Sequence, residues 1–72
     1  MSWDYTDFGQ AGYYAEAALQ EARLAGRYLA MAHRARKKLQ IIQWARYAES
    51  YRTRAKEYQH RARDYWRKAT RA

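Results

Sequence analysis

Cysteine does not occur among the 72 residues, and that absence removes disulfide staples, thiolate nucleophiles and thiolate metal sites together. It also fits a reducing compartment. Proline and valine are missing too, and the three glycines all fall within the first 26 residues. Two isoleucines and no valine leave little to build strands from, whereas fifteen alanines favour helix. Charge-free stretches are too short to cross a bilayer. Residues 1–10 hold Asp4 and Asp7 and no cation, which is unlike a signal peptide. The expected location is therefore the cytoplasm of a cell, or a virus particle if the protein is viral.

The residues that chemistry requires are equally sparse. His33 and His60 are the only histidines, the carboxylates are scattered, and no glycine-rich phosphate loop is present. Composition thus points away from catalysis, metal binding, cofactors and small-molecule substrates. Hydrophobic residues make up 49% of the chain, but most of them are Ala and Tyr. Alanine buries little area, so a lone core of this kind is thin. Self-association is the usual remedy, and a dimer is the first expectation.

What the chain has in plenty is order in its second half. Written in sevens from Trp44, one column reads Trp44, Tyr51, Tyr58, Tyr65, and another reads Ala48, Ala55, Ala62, Ala69. Apolar residues three and four apart mark a helix that packs a narrow stripe against another helix. The predicted class is all-α: an antiparallel two-helix hairpin with an Ala/Tyr coiled-coil-like seam, dimerising into a bundle. One long continuous helix in an oligomer is the alternative, and a three-helix arrangement the third.

The predicted boundaries are an N-terminal arm over 1–9, a first helix over 10–35 and a basic second helix over 40–71. Asp7 and Gln10 read as a capping box, and Trp3, Tyr5 and Phe8 as a flap over the core. In the first helix Glu16, Gln20, Arg23, Arg27 and Arg34 share one polar stripe. Ala11, Tyr14, Ala18, Ala22, Ala25, Leu29 and Ala32 lie opposite it. The apolar face is wide enough for more than one neighbour. Gly26 suggests a close backbone crossing. Residues 34–40 hold no Gly, Pro, Asn or Asp, yet the apolar stripe changes phase there, which predicts a bend over 36–40.

Charge separates the two halves. Residues 1–36 carry four Arg against four acids, whereas residues 37–72 carry eleven Lys or Arg against three acids. The whole net charge of +8 therefore sits in the second half. Glu57 precedes Arg61 by four residues and Asp64 precedes Lys68 by four, an order suited to intrahelical ion pairs. Arg46, Lys56, Arg63 and Arg67 remain, forming a ridge roughly opposite the seam with Thr53 and His60 between them. Arg52, Arg54 and Arg71 broaden it. A cationic ridge on a helix suits a phosphate backbone, giving affinity without reading sequence. Tyr47 and Trp66 lie beside the seam, within reach of unpaired bases. The expected partner of Arg46, Arg52, Lys56, Arg63, Arg67 and Arg71 is thus nucleic acid, with an acidic host protein as the alternative. A membrane surface ranks third, because Ala and Tyr make a poor insertion face.

Overall fold

The computed structural model describes residues 5–71. Two helices account for nearly all of them: α1 over Tyr5–Arg34 and α2 over Lys38–Arg71. They lie side by side as an all-α helical hairpin, a rod of 58 × 12 × 11 Å. No helix among the described residues is long and apolar enough to cross a membrane.

The alanines decide how the helices meet. Ala11, Ala18 and Ala25 of α1 and Ala48, Ala55 and Ala69 of α2 are the buried residues, each set spaced in sevens or multiples of seven. Ala62 and Ala32 continue the two rows half-buried. Methyl groups facing each other along both helices hold the backbones close. The space beside them goes to rings.

Those rings set the register. Tyr14 stacks between Tyr58 and Tyr65, with centroids 5.9 and 5.6 Å away. Fourteen residues later Tyr28 stacks between Trp44 and Tyr51, at 5.7 and 5.4 Å. A step forward along α1 is a step back along α2, so the helices are antiparallel. Offset stacks of this kind contribute about 0.5–1.5 kcal/mol each beyond the area they bury. Glu21 lies midway between Tyr14 and Tyr28, so the same register brings it level with the gap between Tyr51 and Tyr58. Its Oε2 atom is shielded from solvent and has no hydrogen-bond partner.

The link between helices spans only 35–37. Ala35 N–H donates to the Met31 carbonyl, closing α1, and Ile41 N–H donates to the Lys37 carbonyl, opening α2. No described residue has a positive φ. The turn therefore needs neither glycine nor asparagine, which is why the local sequence carries no turn signal. Only the phase change of the apolar stripe betrays it, and the bend falls slightly before the expected stretch 36–40.

Three other expectations need correction. Residues 5–9 are not an arm: α1 already begins at Tyr5, and Asp7 lies within its first turn. An acid there favours the helix dipole as well as a cap would, so the start moved upstream without loss. Gly26 neither crosses a backbone nor ends the helix; a Cβ built on it would meet nothing within 4 Å. Arg61 and Lys68 also depart from simple intrahelical pairing. Arg61 lies over the rings of Tyr14 and Tyr58 at 5.6 and 5.8 Å, and Lys68 over Tyr65 at 5.2 Å. Of the expected aromatic flap, Phe8 meets Trp66 edge-on at 5.0 Å, while Trp3 is outside the described residues.

Candidate nucleic-acid interface

The basic surface follows from which columns of α2 the hairpin uses up. The column Trp44, Tyr51, Tyr58, Tyr65 is half-buried against α1, as is Ala62 in the buried column of Ala48, Ala55 and Ala69. All other columns face outward, and they hold the cations. Arg46, Arg52, Lys56, Arg63, Arg67 and Arg71 are all exposed. From Arg46 to Arg67 they extend about 32 Å at 1.5 Å per residue.

Their arrangement differs from one ridge opposite the seam. Arg63 borders the shallow groove between the helices, in company with Ala15, Leu19, Gln59 and Ala62. It also reaches the end of that groove formed by Phe8, Gly12 and Trp66. Arg52 borders the same side further along, beside Leu29, Ala45, Ala48 and Glu49. Arg67 and Arg71 share a depression with Asp64 and Lys68, whereas Arg46 stands at the turn end with Leu39, Ile42, Gln43 and Tyr47. The reason is periodicity. Residues 52 and 63 lie four and eight positions after Ala48 and Ala55, about 40–80° around the helix, so they flank the alanine stripe rather than oppose it.

A second row of cations lies over rings. Arg54 lies over Tyr51 at 5.4 Å, and Arg61 and Lys68 repeat the arrangement over Tyr58 and Tyr65. Each follows its tyrosine by three residues. The signal was present in the heptad itself, where one column reads Tyr47, Arg54, Arg61, Lys68. Cation–ring contacts at exposed sites contribute about 0.5–1 kcal/mol each. They hold three charges close to the rod, on side chains that remain exposed.

The hairpin thus carries cations along both edges of α2: Arg52, Lys56 and Arg63 on the alanine side, and Arg54, Arg61 and Lys68 on the tyrosine side. Guanidinium groups offer several N–H donors in a planar fork matched to phosphate oxygens. The hydroxyls between them are less available, because Thr53 Oγ1 donates to the Glu49 carbonyl at 3.0 Å. Thr70 likewise donates to Trp66 O and Arg67 O, at 3.0 and 3.2 Å. His60 is exposed. Trp66 is 54% exposed despite its contact with Phe8, and Tyr47 is 45% exposed, so both present a ring surface to solvent. No group of three or more His, Cys, Asp or Glu able to hold a metal ion occurs among the described residues.

Comparison with protein-family models, with curated proteins and with solved structures gives no significant match to this chain.

Proposed function

We propose that this chain is a non-enzymatic binding protein whose basic α2 holds nucleic acid by its phosphate backbone, with little sequence specificity. One observation carries the proposal: all of the +8 net charge falls after residue 36, on exposed side chains of α2 and of Lys37 just before it. The helix packs along α1, so the charges are spaced along a rod rather than a flexible tail. Preorganised cations release condensed counterions from a polyanion without first losing chain entropy. Trp66 and Tyr47 add stacking surfaces suited to unpaired bases. In this reading the Ala/Tyr contact is a coiled-coil seam, the hairpin acts as a dimer, and the protein works inside the cell.

A second reading has an observation of its own. Leu39 is 81% exposed, and with Ile42 and Tyr47 it forms an apolar patch beside Arg46 at the turn end. Apolar groups next to a cation suit docking on an acidic protein surface better than they suit phosphate.

Electrophoretic mobility shift with short DNA and RNA probes at low salt separates the two. On the nucleic-acid reading, the wild type shifts both probes, and changing Lys56, Arg63 and Arg67 together to Glu strongly weakens the shift. Absence of any shift at low salt sinks this reading. A single acidic protein then retained from nuclease-treated lysate would favour the second, and Leu39→Ser with Ile42→Ser should release it.

A further inference from the structure

We infer that the outward face of α1, from Phe8 to Leu29, packs against the same face of a second copy of this chain, antiparallel and about a two-fold axis. The inference names the surface behind the dimer proposed above and does not depend on nucleic-acid binding.

α1 is apolar over far more of its circumference than α2 covers. Next to its buried alanines, on the side away from the stacked rings, comes the row Phe8, Ala15, Ala22, Leu29. Beyond it lies the row Gly12, Leu19, Gly26. Neither row holds a charge. Leu19 is 53% exposed, Leu29 46% exposed, and a Cβ at Gly12 or Gly26 would meet nothing within 4 Å. A helix apolar over so wide an arc is one with neighbours on more than one side.

Area, charge and pattern agree on a second copy as that neighbour. The hairpin exposes 6034 Å², whereas a compact protein of 8.7 kDa exposes about 4,700 Å². The excess of about 1,300 Å² exceeds the roughly 800 Å² that each partner gives to an ordinary interface. Charge selects the helix. Residues 37–72 carry +8 and repel their own copy, while residues 1–36 are neutral and do not. Arg52 and Arg63 border this face on its α2 side, but the two rows at its centre carry no charge. An acidic partner would be drawn to α2, which leaves the uncharged rows to a copy of the chain.

Pattern selects the direction. With the axis at Leu19, that side chain meets its own copy, and Gly12 comes level with Gly26 of the second chain. Ala15 comes within one residue of the level of Ala22, and Phe8 within one residue of Leu29. Small residues face small ones, so the backbones approach closely, with the large side chains filling the ends. On the adjoining row, Glu16 comes opposite Arg23 of the second copy, and symmetry makes that pair twice. A parallel arrangement would set Glu16 against Glu16 and Arg23 against Arg23. The antiparallel one leaves both α2 helices on the outside of the pair.

The cysteine-free chain makes the test direct. Leu19→Cys, Gly12→Cys and Gly26→Cys are made singly, checked for helix content, oxidised and run on non-reducing gels. Leu19→Cys should cross-link to itself. Gly12→Cys and Gly26→Cys should each fail alone and cross-link when mixed. Light scattering of the wild type should give twice 8.7 kDa. Glu16→Arg should shift that mass to monomer, and adding Arg23→Glu should restore it. A monomeric wild type, self-linking of Gly12→Cys, or no rescue by the charge swap would each overturn the inference. None of these readouts involves nucleic acid, so its failure and that of the proposed function remain distinguishable.

Discussion

Replacing Ala55 by leucine is the sharpest probe of how the hairpin is held together. Ala55 is 6% exposed and sits mid-way along α2 between the buried Ala48 and the half-buried Ala62. Leucine adds three carbons where one methyl now separates two backbones. The helices must then move apart or the side chain must leave its rotamer, at about 1–3 kcal/mol. For a domain of this size that lowers Tm by roughly 5–20 °C. Ala62 is the internal comparison, because it borders the open groove with Leu19 and Arg63 and gives a larger side chain an outlet. Ala62→Leu should lose about half as much or less. Ala30→Leu, on the exposed side of α1, should stay within about 0.5 kcal/mol of wild type. Circular-dichroism melts at one fixed protein concentration measure all three, since association makes Tm concentration-dependent. If Ala55→Leu melts with the wild type, or the three variants fall alike, the alanine stripe is not what sets the helix separation.

The ring ladder and the helix ends allow further checks. Tyr28→Ala empties the slot between Trp44 and Tyr51 and should cost about 3 kcal/mol in chemical denaturation, the low end for aromatic truncation because the ring is half-buried. A cost below 1 kcal/mol would mean that the stacks do not hold the helices together. Glu21→Leu removes a shielded, unpartnered carboxylate oxygen and should raise stability by about 1–3 kcal/mol; a fall in the denaturation midpoint would contradict that assignment. Lys37 is the residue before α2, and its carbonyl accepts the first bond of the helix. Lys37→Asp should therefore add a cap and a favourable dipole contact, raising Tm by an amount equivalent to about 1 kcal/mol.

Much of this architecture was legible in the spacing of a few residue types. The columns Trp44–Tyr65 and Ala48–Ala69 specify one face of α2, and Ala18, Ala25 and Ala32 specify the matching face of α1. The phase break between Ala32 and Ile41 requires a turn even though Ala35, Arg36 and Lys37 show no turn chemistry. Details that depend on the partner helix were not legible. Whether Arg61 meets Glu57 or the ring of Tyr14 depends on where α1 lies, and Tyr14 is 47 residues away in the chain. Glu21 reads as an ordinary helix residue until the register places it level with Tyr51 and Tyr58. Gly26 looked like a crossing point because its cost within a helix asked for a reason inside the hairpin. The hairpin supplies none, and the face it leaves open supplies one outside. The candidate interface was legible as charge but not as shape. Periodicity alone put Arg63 on a ridge, whereas packing against α1 turned its position into the edge of a groove.

The proposed function rests on cations that contact phosphate, and the salt dependence of binding measures that number most directly. Fluorescence anisotropy with a labelled duplex, titrated from about 50 to 200 mM salt, gives the slope of log K against log salt. Six contacts, one from each of Arg46, Arg52, Lys56, Arg63, Arg67 and Arg71, predict a slope of about −5, and three reversals to Glu should remove at least half of it. A slope near zero, or no binding at the lowest salt, would contradict the assignment of α2 to nucleic acid.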